Sequence, residues 1–199
     1  MKKPLLIVIA GPNGSGKTTI TKRVIHHAWA DSCEYINPDE IAQNVFGDWN
    51  DKAAVLKAVQ YAEQRRNELL ANRQDIIFET VLSSQGKVDF IRKAKEEGYF
   101  VRIFFVCTAN PPINASRVAN RVMKGGHDVP ITKIISRYQK SIENMCVLSS
   151  VIDRAYFYDN SIDDHEAQLL FRTTDGQIQK QYTTSLPEWA KMIYQQIVN

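Results

Sequence analysis

The segment Gly11-Pro12-Asn13-Gly14-Ser15-Gly16-Lys17-Thr18 constrains this chain more than any other. It fits the pattern G-x-x-x-x-G-K-[ST], a phosphate-holding loop that works only between a buried strand and the start of a helix. The glycines let successive backbone N–H groups turn inward as an anion nest. Lys17 can reach the β- and γ-phosphates of a nucleotide, and the Thr18 hydroxyl can hold Mg²⁺. The helix that starts here aims the positive end of its dipole at the same point. With ordinary glycine usage, chance supplies the pattern in about one chain of this size in a hundred. The flanks make chance rarer still. Leu5–Ala10 is an unbroken apolar run, as in a parallel strand buried on both faces. Ile20, Val24 and Ala28 fall at i, i+4 and i+8, the apolar stripe of a helix. A glycine turn with no ligand would not require that order of elements. Residues Gly11 to Thr19 are therefore expected to bind ATP, with magnesium.

The rest of the chain repeats the alternation. Apolar strand-like runs recur at Asp75–Phe78, Phe100–Cys107 and Ala155–Tyr158, with a weaker one at Glu34–Ile36. Val55, Val59, Ala62 and Leu69 mark one helical stripe between them; Val88, Ile91 and Ala94 mark another, stopped at Gly98. This predicts an α/β fold, a parallel sheet with helices on both faces, whose ligands bind at the carboxyl ends of the strands. Residues 1–199 read as a single domain with a helical, lid-like insertion at 111–150. Its first stripe is Ala115, Val118, Ala119 and Val122; its second is Ile131, Ile134, Ile135, Tyr138, Ile142 and Met145. The turn Gly125-Gly126-His127-Asp128-Val129-Pro130 separates them. Leu169–Thr173 and Ile178–Thr183 flank Thr174-Asp175-Gly176-Gln177, a hairpin signal. Leu186–Val198 reads as a closing helix that begins at Pro187.

Cys33, Cys107 and Cys146 are odd in number and lack C-x-x-C spacing, so neither a disulfide framework nor a zinc site is indicated; small buried hydrophobes are expected. Lys2 and Lys3 before an apolar run mimic a signal peptide, but cleavage would destroy the phosphate loop. No stretch is long enough to span a bilayer, so a cytoplasmic protein without a membrane partner is expected. The net charge of +3 is unevenly spread: Arg117 to Lys140 holds six Lys/Arg against the single acid Asp128. A basic segment in a nearly neutral chain points to a particular anionic ligand and away from nucleic acid.

Three constellations could carry chemistry. In Asn37-Pro38-Asp39-Glu40, Asn37 suits a helix cap, Pro38 the first helical position and Glu40 the return arm of a capping box. The same turn lies where a phosphoacceptor hydroxyl would sit, and Asp39 is the carboxylate that could orient it and take its proton. Glu79, at the end of the Asp75–Phe78 run, could hold Mg²⁺ or bond a substrate hydroxyl, because a carboxylate on a buried strand must be used or paired. Arg117 and Arg121, four apart, share a helix face, and with Arg137 they could clamp transferring phosphates. A solvated basic surface is the plainer reading of the arginines, opposed by the scarcity of acids among them. His127 reads as a turn residue, and His26 and His27 as surface. Tyr158-Asp159-Asn160-Ser161 is placed to meet an adenine ring.

With GPNGSGKTT, then NPD, then FET, then RVxxRVxxGGHxVP followed by Arg137, the chain resembles the zeta toxin family of small P-loop kinases, in its short bacterial branch. The resemblance covers nearly the whole length. It implies a kinase-like P-loop NTPase fold using ATP and magnesium. Lys17 and Thr18 would serve the nucleotide and metal, and Asp39 would be the base. Glu79 and Thr80 would contact the acceptor, in characterised relatives the 3′-hydroxyl of UDP-N-acetylglucosamine or a related sugar. An antitoxin protein is the partner such a resemblance raises. Two rivals stand beside it: an antibiotic or nucleoside kinase on the same scaffold, and a nucleotide-binding switch without an acceptor. The chain has no N-K-x-D guanine motif and no strand ending in Asp-Glu.

Overall fold

Strand β1 (Leu5–Ala10) is the axis of the molecule. In the computed structural model, which describes residues 3–47, 50–126 and 128–199, its residues Leu6 to Ala10 are wholly buried. His127 and Lys2 lie outside the described residues. The chain continues through α1 (Lys17–Ile25), β2 (Glu34–Ile36), α2 (Pro38–Asn44), α3 (Lys52–Ala71), β3 (Ile76–Thr80), α4 (Gln85–Glu96) and β4 (Phe100–Cys107). There follow α5 (Pro111–Met123), α6 (Ile131–Ser149), β5 (Arg154–Asp159), β6 (Gln168–Thr174), β7 (Gln177–Gln181) and α7 (Glu188–Val198). The sheet order is β2-β3-β1-β4-β5-β6-β7. The first five strands in that order run parallel; β6 and β7 add antiparallel. β1 lies between β3 and β4, so crossovers leave to both sides of it and open a crevice at its carboxyl end.

The period-2 alternation of β1 divides the core. Leu6 and Val8 face α3, α4, α6 and α7, where Leu69, Ile91, Met145 and Trp189 pack; Ile7 and Ile9 face α1 through Ile20 and Val24. The outer ends are tied by acids. Asp75 accepts from the Leu5 N–H (2.7 Å) and the Ser32 hydroxyl (2.6 Å), so it anchors the strand ends while β3 itself starts at Ile76. Asp153 accepts from Lys95 Nζ (2.6 Å) and from the Val101 N–H (2.8 Å). At 5% exposure it is a buried carboxylate whose partners come from α4 and β4. Replacing Asp153 by Ala should lower stability by about 3 kcal/mol, since a cation and an amide lose their partner together. Urea denaturation checks this; an unchanged midpoint would mean that solvent had already neutralised the pair.

Several stripes read from sequence are corrected. α1 ends at Ile25, and Ala28 is exposed; Ala30, in a following 3₁₀ turn, is the buried alanine. On α3 the buried face is Ala54, Ala58 and Ala62, whereas Val59 is 39% exposed. Alanines occupy little volume and let α3 lie close on α2, which leaves Val55 and Val59 lining a cavity. On α5 the core takes Val118 and Asn114, while Ala119 and Val122 are exposed. α6 buries Ile134, Tyr138, Ile142 and Met145 but exposes Ile131 and Ile135. Its second half belongs to the main core. In the β6–β7 hairpin, Asp175 (φ 49°) and Gly176 (φ 72°) both take left-handed geometry, as a type I′ turn requires. Among the described residues, no helix is long and apolar enough to cross a membrane, and none of the three cysteines is in a disulfide.

Candidate active site

The phosphate loop sits at the carboxyl end of β1. Gly11 has φ 147°, and a Cβ there would lie 2.0 Å from the Val106 carbonyl oxygen, so only glycine lets the chain turn off the strand. The loop carbonyls are held from outside. Asn114 of α5 donates its amide to the Asn13 carbonyl (2.6 Å), and Asn160 donates to the Ser15 carbonyl (2.9 Å). Asn114 is itself wholly buried and accepts from the Thr108 hydroxyl. Of the loop's own N–H groups, Gly11 donates to the Thr80 carbonyl (3.2 Å) and Ser15 to the Pro12 carbonyl (3.3 Å), which leaves the others for an anion. Gly16 (φ 90°) caps α1. Lys17 Nζ folds back onto the Pro12 carbonyl (2.9 Å). Burial lowers the Lys17 pKa, Glu79 and Asp39 oppose that shift, and the Arg121 charge adds to it. Thr18 and Thr19 are exposed at the start of α1.

Asp39 stands in the first turn of α2. The Asn37 side chain accepts from the Asp39 N–H (3.0 Å) with Pro38 at the first helical position, so the cap expected from sequence is present. Glu40 accepts from the Asn37 side-chain amide (3.3 Å). Glu79, near the end of β3, receives the Thr21 hydroxyl (2.6 Å) and the Tyr35 hydroxyl (2.9 Å). Burial and the Glu79 charge push the Tyr35 pKa up, so the phenol stays protonated and donates. Thr80 accepts from the Leu82 N–H (3.0 Å). Leu82 is buried with φ 57°, a conformation that costs about 1–2 kcal/mol for a side-chain-bearing residue. Asn144 secures that turn by donating to the Leu82 carbonyl (2.8 Å).

The three arginines differ. Arg117 is bound by Asp163 (2.8 and 2.6 Å) and the Asn160 carbonyl (2.6 Å). Arg137 reaches Asn13 Oδ1 at 3.4 Å. Arg121 lies two residues before the end of α5, where Gly125 and Gly126 return N–H bonds to the Val122 and Arg121 carbonyls (both 2.9 Å). This is a Schellman stop. A Cβ at Gly126 would lie 2.5 Å from Arg121 Cγ, so the glycine pair both ends the helix and packs on the arginine. All three arginines line one cavity of ≈ 510 Å³, together with Lys17, Asp39 and Glu79. A smaller groove of ≈ 200 Å³ runs beside it, between Gly16, Thr19 and Arg117 on one side and Ile162 and Ala167 on the other.

The sequence reading did not find Asn114, Thr21 or Tyr35, since a lone Asn, Thr or Tyr carries no pattern. It placed Tyr158–Ser161 against an adenine ring, and the structure corrects the detail. Asn160 braces the phosphate loop, and Asp159 accepts from the Ser161 hydroxyl (2.8 Å) and the Trp189 indole (3.4 Å). Asn160 also lines the smaller groove.

The sheet order, with the phosphate loop between β1 and α1, defines the fold of the P-loop kinases. Within that class the chain belongs to the zeta toxin family, whose model, Zeta toxin, matches residues 1–170. A chain from the AvrRxo1-ORF1:AvrRxo1-ORF2 complex with ATP superposes with a TM-score of 0.66 at 17% identity, over 98% of this chain and 63% of that one. A chain from the PezAT chromosomal toxin–antitoxin system of Streptococcus pneumoniae gives 0.64 at 16% identity, over 98% and 79%. An uncharacterized protein of Haemophilus influenzae is 27% identical over 133 residues, 66% of this chain and 91% of its own. The present chain thus spans less than two thirds of the AvrRxo1 complex chain that it matches, and at these identities the structural likeness concerns the fold.

Proposed function

We propose that this protein is an ATP-dependent phosphotransferase that phosphorylates a hydroxyl of a small metabolite, a UDP-linked N-acetyl sugar being the acceptor we favour. One observation carries the reading: a single cavity collects the phosphate-loop lysine, an exposed carboxylate on a capped helix turn, a paired glutamate and three arginines. A switch protein would have no use for the wall formed by Asp39 and Glu79. The loop fits a nucleotide. A side chain at Gly11 would fill its cradle, and the Ser15 hydroxyl is buried there without a partner among the described residues. Thr18, exposed at the start of α1, and phosphate oxygens would hold Mg²⁺.

Mg·ATP supplies the phosphoryl group; the chain supplies position and charge. Lys17 exchanges the Pro12 carbonyl for phosphate oxygens. Arg121 and Arg137 meet the charge that spreads over the transferred group. The groove beside Thr19 and Arg117 takes the base. Asp39 holds the acceptor hydroxyl and takes its proton as the new O–P bond forms and the bond to the ADP oxygen breaks. Glu79, fixed by Thr21 and Tyr35, has one oxygen left for a neighbouring acceptor group. The two-protein PezAT and AvrRxo1 neighbours support an antitoxin as the partner to seek.

The experiment is incubation with Mg·ATP and UDP-N-acetylglucosamine, followed by mass spectrometry for a product one phosphate heavier. Asp39→Asn should cut turnover by at least about a hundredfold, with ATP affinity and melting temperature little changed, because Asn cannot take the proton. Clear phosphorylation of a nucleoside or antibiotic, and none of the sugar nucleotide, would replace the acceptor. A fully active but less stable Asp39→Asn protein would reduce Asp39 to a first-turn acid.

A further inference from the structure

The cavity has a second basic wall, away from the arginines of α5 and α6. Arg66 of α3 and Lys87 of α4 both line it. Arg66 is 2% exposed, with its guanidinium 5.2 Å from the centre of the Phe78 ring and 5.6 Å from that of Phe90. Those rings meet edge to face at 5.7 Å, so they hold the planar group in one place. Its Nε is buried without a hydrogen-bond partner, and among the described residues no carboxylate lies within ion-pair distance. Glu63, one turn earlier on α3, is the acid whose charge reaches it.

Lys87 is in the first turn of α4, where the helix dipole favours acids and where this helix has none. Burial, with the Arg66 charge added, pushes its pKa down to about 8. The Ser84 cap residue of the same helix makes no side-chain cap bond and also lines the cavity. Arg66, buried, and Lys87, half-buried at a positive helix end, repel each other, which costs stability in the empty protein. A ligand dianion would neutralise all three features together, which a monoanion would do only in part.

We propose that Arg66 and Lys87 form an anion subsite on the α3–α4 wall, which takes a phosphate group already carried by the phosphoryl acceptor. This rests on reading the cavity as the acceptor site, and it deepens that reading by assigning two residues of this wall to a phosphate of the acceptor, whichever phosphorylated or diphosphate-linked metabolite that is. Val55 and Val59, turned from the core into the same cavity, offer apolar contact to the group that the phosphate carries. The basic segment 117–140 then serves the donor phosphates, and this wall serves the acceptor.

The test uses the full chain with its nucleotide site filled by Mg²⁺ and a non-hydrolysable ATP analogue. Inorganic phosphate is titrated calorimetrically, with acetate as the monoanion control. Phosphate should bind the filled protein, acetate should bind at least tenfold more weakly, and Lys87→Gln should weaken phosphate at least tenfold. Arg66→Gln should do the same; because Arg66 is enclosed by rings, Lys87→Gln decides if that variant does not fold. Failure of phosphate to bind, equal binding of acetate, or unchanged binding in Lys87→Gln overturns the subsite. The acceptor assay separates this from the sugar-nucleotide reading. A phosphorylated acceptor that is not a UDP sugar keeps the subsite and removes the sugar nucleotide. A neutral acceptor with equal kcat/KM in wild type and Lys87→Gln removes the subsite and leaves the kinase chemistry standing.

Discussion

Lys17→Ala should abolish detectable phosphoryl transfer, a fall of about a thousandfold or more, while leaving the fold intact or slightly firmer. The loss follows from the charge on the β- and γ-phosphates, which no other group in the loop can meet. The gain in stability follows from desolvation: burial already disfavours the Lys17 ammonium, and its bond to the Pro12 carbonyl is a small return. A thermal melt and a mass-spectrometric turnover assay on the same preparation read both halves. A folded Lys17→Ala protein with wild-type turnover would remove the phosphate-loop assignment altogether.

Arg121→Ala should be nearly as severe, lowering kcat by roughly a thousandfold, the size of an arginine-finger effect. Its charge is felt at Lys17, and the glycine stop of α5 fixes where its stem emerges. Arg121→Lys should recover little, because a point charge cannot reproduce the planar fork. Arg117→Ala should behave differently. Its guanidinium is committed to Asp163 and the Asn160 carbonyl, beside the smaller groove, so the loss should appear mainly as a raised KM for ATP. Steady-state kinetics on the two variants separates the roles; equal effects on kcat from both would put them in one clamp.

Those contrasts mark where sequence reasoning ends. β1, β2 and β4 begin and end where their apolar runs do, and the loop is legible because its geometry needs glycine and lysine at fixed spacing. Asp39, Glu79 and the three arginines were named from local pattern, and the cavity brings them together. What each arginine touches was not legible, since Arg117 finds Asp163 across 46 residues of chain. Val55 and Val59 misled because helical periodicity says which residues share a face and not which face finds the core. The alanine face won by its closer fit to α2. Arg66 had no sequence signal at all. It reads as an ordinary helix-surface arginine until Phe78 and Phe90 enclose it.

Asn114 ties the first turn of α5 to the phosphate loop through a buried amide, and the glycine pair that ends the same helix begins eleven residues further along. That fixes α5 at its root, whereas Met123 at its other end is 78% exposed. Arg121, near the tip, has the longer arc, whereas Arg117, closer to the root, moves little. Any closing motion over a nucleotide therefore changes the reach of one arginine far more than the other. Because the root is an uncharged hydrogen bond, its grip should not loosen with salt or pH; only the swing at the tip should.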